Sequence, residues 1–351
     1  MTDGVPSAES QLAFLNKLQR LFAEGDFTAT YKYALLIALA ELAVEQGADD
    51  AAPMRLSNRQ IAGRFIALYW RQASPYSTGR TSTVPGVLLQ NLGAQAAVVT
   101  AVEAFRHNNP AATLQSARHC PGFPRLVSAV AATVSAQPLT YLQNFGGTTD
   151  PFLYERDGPG VIRLKAGVAW CFRRFQPLVQ QLVRAHWIDH VRRNRRNHSI
   201  LGDAGDLEQF LFETPRQSLG VVAQELRRLE GSICFYCGGR TDSVDVNHFV
   251  AFAQYPRDLA HNLVLAHPAC NRSKSDSLAA RPYLERWLER LEQRGDALTD
   301  IGQRAGIAGD ACASRNVAEW GYAAAESAGG RAWLAAGRYE PVDASYLDCF
   351  G

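Results

Sequence analysis

Apolar residues recur at three- and four-residue spacings over most of the first two hundred positions, the pattern of amphipathic helices. Leu12, Leu15, Leu18 and Phe22 form the first such face, which Gly25 and Asp26 interrupt. A second helix is expected over residues 30–46, ended by Gly47. It holds the most apolar early run, A-L-L-I-A-L-A at 34–40, which Glu41 stops far short of the roughly 20 residues a membrane span needs. The run therefore reads as a buried helix. Ser57 is placed to cap a third helix carrying Ile61, Phe65 and Leu68, with Asn58 competing for the role. Further helices are expected over 87–105 and 123–136, and Pro177 starts or kinks another. Segments 74–86 and 146–160 read as loops, and 198–206 as an exposed polar stretch.

The pattern changes near residue 230. Leu219, Val222, Leu226 and Leu229 mark a helix that Gly231 ends. Valines then alternate with polar residues from Val244 to His248, which reads as a strand with one buried face. Asn262-Leu263-Val264-Leu265 reads as a second strand, and Cys270-Asn271-Arg272-Ser273-Lys274 begins a helix. Pro282 precedes Leu284, Trp287, Leu288 and Leu291, an amphipathic helix with proline in its first turn. The last fifty residues are rich in Ala and Gly, with little pattern. Three regions are expected: a helical N-terminal region (1–225), a small module (226–292) and a partly helical tail (293–351). The fold class is mainly α with a small α+β module.

At 351 residues the chain can bury a sizeable core, and 47% hydrophobic with 20% charged residues is ordinary for a globular protein. No basic stretch precedes an apolar run at the N-terminus, so no secretory signal is expected and a cytoplasmic location is. The net charge of +2 says little about partners, but its distribution does. Residues 161–198 hold Arg163, Lys165, Arg173, Arg174, Arg184, Arg192, Arg193, Arg195 and Arg196 against Asp189 alone. Such a segment suits a run of phosphates, with Arg192, Arg193, Arg195 and Arg196 as candidate nucleic-acid contacts. A solvated basic face without a ligand is the plainer alternative.

Seven cysteines, an odd number, argue against a disulfide framework. Cys234 and Cys237 form a C-x-x-C pair followed by two glycines, and His267 and Cys270 form an H-x-x-C pair further on. Four such ligands match tetrahedral Zn²⁺ with no open position, hence a structural ion that staples a module with little core of its own. Cys120, Cys171, Cys312 and Cys349 are scattered and read as small apolar residues.

The order of these features resembles the HNH endonuclease family, whose fold is a ββα-metal finger. Its pattern runs C-x-x-C, a strand ending in Asp-His, an Asn before an apolar strand, then paired ligands leading into C-N-x-x-K. This chain supplies Cys234 and Cys237, Asn247-His248, Asn262, and His267 with Cys270-Asn271-Arg272-Ser273-Lys274. The likeness covers residues 234–284. More loosely, 152–212 resembles bacterial HNH proteins with a helical N-terminal region.

The resemblance implies an HNH endonuclease module that hydrolyses phosphodiester bonds in DNA, ahead of RNA, as a nickase or double-strand cutter. His248 would be the general base, and Asn262 would brace the loop and orient it. Asn247 and Asn271, helped by Asp245, would hold a catalytic Mg²⁺ or Mn²⁺. Arg272 and Lys274 would hold the scissile phosphate. Two departures stand out: Asn247 replaces the usual Asp, and Ala251 replaces a common Pro. Asn247 and His248 are also strand neighbours, which point to opposite faces unless the strand twists or ends there. His261 falls outside the pattern. The resemblance further implies bacterial antiviral defence or restriction, with a partner protein of such a system and no membrane. The alternative is a decayed zinc-knuckle module that only binds nucleic acid or a partner protein.

Overall fold

A computed structural model describes residues 4–76, 85–202, 206–240 and 242–351. Residues 77–84 of the expected 74–86 loop, and 203–205 of the expected polar stretch, lie outside the described residues. Two compact units are present: residues 1–112 with 117–213, and residues 113–116 with 214–351. Both are mainly helical with small antiparallel sheets. Among the described residues, no helix is long and apolar enough to cross a membrane.

In the first unit, α1 (Ala8–Glu24) is a helix as expected, but its face is turned. Phe14, Leu18 and Leu21 are buried, whereas Leu12 is 60% exposed. Phe14 sits edge-on to Phe172 with ring centroids 5.3 Å apart, and that aromatic contact outweighs the leucine stripe. The centre of the unit is α2 (Tyr31–Gln46), in which every residue but the last is buried. Strand β1 (Met54–Ser57) leads into α3 (Asn58–Gln72), where Ser57 takes the cap: its Oγ accepts from the Gln60 N–H while Gln60 Oε1 accepts from the Ser57 N–H. Arg64 of α3 pairs with Glu45 of α2 and lies 3.8 Å from Glu41, so these buried carboxylates are neutralised.

Helix α4 (Ala97–Asn108) begins ten residues later than the expected 87–105 helix, whose first part is non-helical, and α5 (Phe123–Ala136) follows as expected. The expected 146–160 loop contains β2 (Tyr154–Arg156), and β3 (Val161–Leu164) follows it; both join β1 in a sheet of order β1-β3-β2. Helix α6 (Val168–Arg174) precedes α7 (Gln176–Arg193), whose first turn holds Pro177. Val179, Val183, Trp187 and Val191 are the buried stripe of α7. Trp187 donates its indole N–H to Gln90 (2.9 Å) and meets Tyr69 and Phe212 at 5.4 Å. A short α8 (Leu207–Phe212) completes this unit.

The second unit opens with α9 (Arg216–Glu230), closed by Gly231 at φ 77°. Strands β4 (Asp245–His248) and β5 (Leu263–Ala266) pair antiparallel, with Asp245 opposite Ala266 and His248 opposite Leu263. Helix α10 (Pro268–Lys274) follows at once. The long α11 (Arg281–Ala305) runs across the boundary expected at residue 292, and α9 runs across that expected at 225. The Ala- and Gly-rich end is ordered into α12 (Ala311–Ser327) and a hairpin of β6 (Arg331–Ala335) and β7 (Arg338–Pro341). Its regularity comes from an Asp310 cap on α12 and from Trp333, whose backbone N–H and C=O bond Leu278 and Ala280.

Helix α11 packs the unit together through Trp287, stacked on Phe249 at 4.7 Å, and through Arg290. The Arg290 guanidinium is 7% exposed and reaches Glu230 (2.6 Å), the His261 carbonyl (3.4 Å) and the Leu263 carbonyl (3.0 Å).

Trp187→Ala removes a fully buried ring and one indole bond, which should cost about 3–5 kcal/mol. Denaturant unfolding followed by circular dichroism checks this as a lowered first-unit midpoint.

Candidate functional site

Residues 233–240 form a tight knuckle. The Cys234 N–H donates to Gly239 and the Gly238 N–H to Cys234, both at 2.9 Å. Gly238 has φ 71°, a conformation costly for other residues. At Gly239 a Cβ would stand 3.2 Å from His267 Cε1, so the second glycine lets the turn approach the histidine. His267 precedes the first turn of α10, which brings Cys270 round to the same side.

The ligand atoms of Cys234, Cys237, His267 and Cys270 all lie within 4.8 Å of one another, and this cluster can hold a metal ion. Cys237 Sγ is 3.1 Å from His267 Nδ1, and the His267 N–H points at Cys234 Sγ at 3.3 Å. Tetrahedral thiolate sites hold their sulfurs about 3.8 Å apart, so only slight closure is needed. His267 Nε2 lies 3.1 Å from the Arg240 carbonyl, which leaves Nδ1 as the ligand atom. Burial pushes the Cys234 thiol up, but the N–H groups of Cys237, His267 and Tyr236 outweigh it and hold it at about 7. Burial and the charge of Cys234 push Cys270 up to about 12. One thiolate forms readily; the full set needs a cation among them.

Beside the cluster runs a chain of side-chain hydrogen bonds. Tyr236 OH donates to Asn247 Oδ1 (2.6 Å), Asn247 Nδ2 donates to Asn271 Oδ1 (2.5 Å), and Asn271 Nδ2 donates to Asp245 Oδ2 (3.0 Å). Asp245 and Asn247, two apart on β4, thus meet Asn271 of α10. Tyr236 is itself walled by Tyr283 and Trp333, with ring centroids at 5.4 and 5.3 Å.

His248 has separate partners. Its Nε2 lies 2.5 Å from Asp258 Oδ1, and its ring sits 5.4 Å from Phe252. Asp258 was missed by sequence reasoning, although it is the single acidic residue between His248 and Asn262. Asn262 is buried and uses its amide on the loop after β4: Oδ1 accepts from the Val250 N–H (2.8 Å) and Nδ2 donates to the Val250 carbonyl (2.9 Å). It braces the loop that follows His248. His261 is buried, with Nε2 2.9 Å from the Gly295 carbonyl, and burial pushes its pKa down.

The basic residues divide. Arg272 is exposed on α10. Lys274, expected to face a phosphate, is instead wholly buried, and its Nζ donates to the His248 carbonyl at 3.2 Å. It turns inward because α10 places residue 274 on the core side, where the long aliphatic stem packs. Burial pushes its pKa down to about 7.

In the 161–198 segment, Arg173 is buried and donates to Asp49 and to the carbonyls of Ala43, Val44 and Gly47 at the end of α2. Arg163 and Lys165 pair with Glu155, and Arg184 lies over Phe212. Arg192, Arg193, Arg195 and Arg196 are exposed together around the end of α7, with Arg193 paired to Asp189 at 3.0 Å.

No curated protein and no solved structure matches the chain. A family described as a domain of unknown function, DUF8808, matches residues 11–211, more than half of the 351. The match takes in nearly all of the first unit and stops short of Cys234. The chain therefore belongs to the DUF8808 family.

Proposed function

We propose that the second unit is an HNH-type, metal-dependent endonuclease that cuts DNA, with Zn²⁺ in the Cys234, Cys237, His267 and Cys270 cluster as its structural ion. The observation that carries this reading is Asn271 bonding both Asp245 and Asn247, which gathers three oxygen-bearing side chains of two elements beside a strand that ends in histidine. Asp245, Asn247 and Asn271 would hold a hydrated Mg²⁺ or Mn²⁺, whose charge supports the phosphate and the leaving oxygen. With His248 Nε2–H donating to Asp258, the Nδ1 lone pair accepts a proton from the attacking water. Asp258 holds that tautomer and orientation. Arg272 is the exposed cation beside this group, and the arginines at 192–196 supply a second, sequence-independent hold on DNA. Antiviral defence or restriction is the setting that the family likeness suggests.

A binding-only role is the second reading. It is favoured by Asn247, which stands where an Asp is usual and whose two amide atoms are already engaged by Tyr236 and Asn271.

Elemental analysis of the purified chain should find one zinc per chain, and Cys270→Ser should lose it and melt the second unit at a lower temperature. Full zinc occupancy in that variant would sink the structural assignment. Supercoiled plasmid with Mg²⁺ or Mn²⁺ should be nicked or linearised. His248→Ala should slow this by roughly 10²–10⁴-fold, and Asp258→Asn by roughly 10–100-fold. A zinc-loaded wild type that binds DNA without cutting it would favour the binding role. Neutralising Arg192, Arg195 and Arg196 together should flatten the plot of log affinity against log salt by about 1 per lost phosphate contact.

A further inference from the structure

The buried charges among the described residues of the first unit are Lys32, Glu41, Glu45 and Arg173. Three of them have an ionic partner: the two glutamates face Arg64, and Arg173 faces Asp49. Lys32 is different. It is 8% exposed, yet it makes no hydrogen bond or ion pair with a described residue, and its ammonium only lies over the Phe27 ring at 5.3 Å. The aliphatic stem is the buried part; the ammonium opens onto a cavity, where the Asp26 carboxylate is a nearby charge but not a bonded partner. Burial lowers its pKa, with Asp26 opposing that effect from an exposed position.

Lys32 lines a cavity of 420 Å³, whose other walls include Asp26, Thr28, Gln137, Tyr141 and Asn144. The cavity sits at the N-terminal end of α2, a 16-residue helix whose first turn is one wall. Thr30 precedes that turn but does not cap it, because its hydroxyl bonds Tyr69 OH at 2.6 Å. The first N–H groups of α2 thus lack a side-chain acceptor, and the helix dipole adds positive potential there. Gln137 and Asn144 carry amide donors, and Tyr141, 49% exposed, presents a ring. The space exceeds what one oxyanion fills.

We propose that this cavity binds a small molecule through an oxyanion, a carboxylate or a phosphate, held by Lys32 and the first turn of α2. The rest of the ligand lies against Tyr141. The site falls within residues 11–211, so it would be a property of the family domain and is independent of the nuclease reading.

The test is isothermal titration of the full chain with three probes: inorganic phosphate, adenosine monophosphate and succinate. At least one should bind saturably at a single site, and the probe that binds tells phosphate from carboxylate. Lys32→Met should weaken that binding roughly tenfold or more with the unfolding midpoint unchanged. If Lys32→Met does not fold, Gln137→Glu, at an exposed position, places a carboxylate in the cavity and should weaken binding by a similar factor. The proposal is overturned if no probe binds saturably, or if the folded variant binds as wild type does.

Discussion

A two-stranded sheet has no interior strand, so its edges and flanking turns leave backbone carbonyls that must find donors once buried. The second unit depends on how it meets that demand. β5 is buried along its whole length, and the turn before it is buried too. Helix α11 answers with three donors within little more than one turn: Arg286 to the Phe235 carbonyl at 2.6 Å, Trp287 to that of His261 at 3.0 Å, and Arg290 to those of His261 and Leu263. The first of these holds the knuckle and the others hold the entry to β5. The placement of Asn262, and through it the loop after His248, follows from the same donors. A cation at Arg290 is stable there because Glu230 of α9 neutralises it.

The first unit meets a similar demand at the end of α2, where Arg173 collects three carbonyls. This use of charge changes the meaning of the basic segment. Read along the chain, nine cations look like one patch. Folded, Arg163 and Lys165 pair with Glu155, Arg173 turns into the core, Arg174 is exposed on α6, and the main exposed group gathers at the end of α7. The charge that a polyanion could meet is narrower than composition suggests, and it is concentrated in four arginines.

Legibility followed the range of the signal. Features set by neighbours in sequence were readable: the Ser57 cap, the α2 core helix, the glycine that ends α9, the paired cysteine and histidine ligands, and the strand, strand, helix order. Features set by distant partners were not. The face of α1 is chosen by Phe172, far along the chain, and no period within α1 can reveal it. β2 and β3 are short, and their sheet needs β1. No local pattern marks Tyr236, whose role emerges only where Asn247 lies against its hydroxyl. Asp258 sits in a loop without periodicity, and only the return of the chain brings it to His248. Lys274, which the HNH likeness sets against a phosphate, points inward because its register on α10 faces the core.

Trp333 covers Tyr236 and donates its indole N–H to Ser273 on α10 at 3.0 Å, although about a hundred residues separate it from the knuckle. This sets an order of events during synthesis. At a ribosomal pace of roughly 5–20 residues per second, some 5–20 s pass between the emergence of Cys237 and that of the hairpin. Through that interval the thiols and the Tyr236 ring stand uncovered. Metal loading and oxidation therefore compete before the unit closes, and its yield in a cell depends on which is faster.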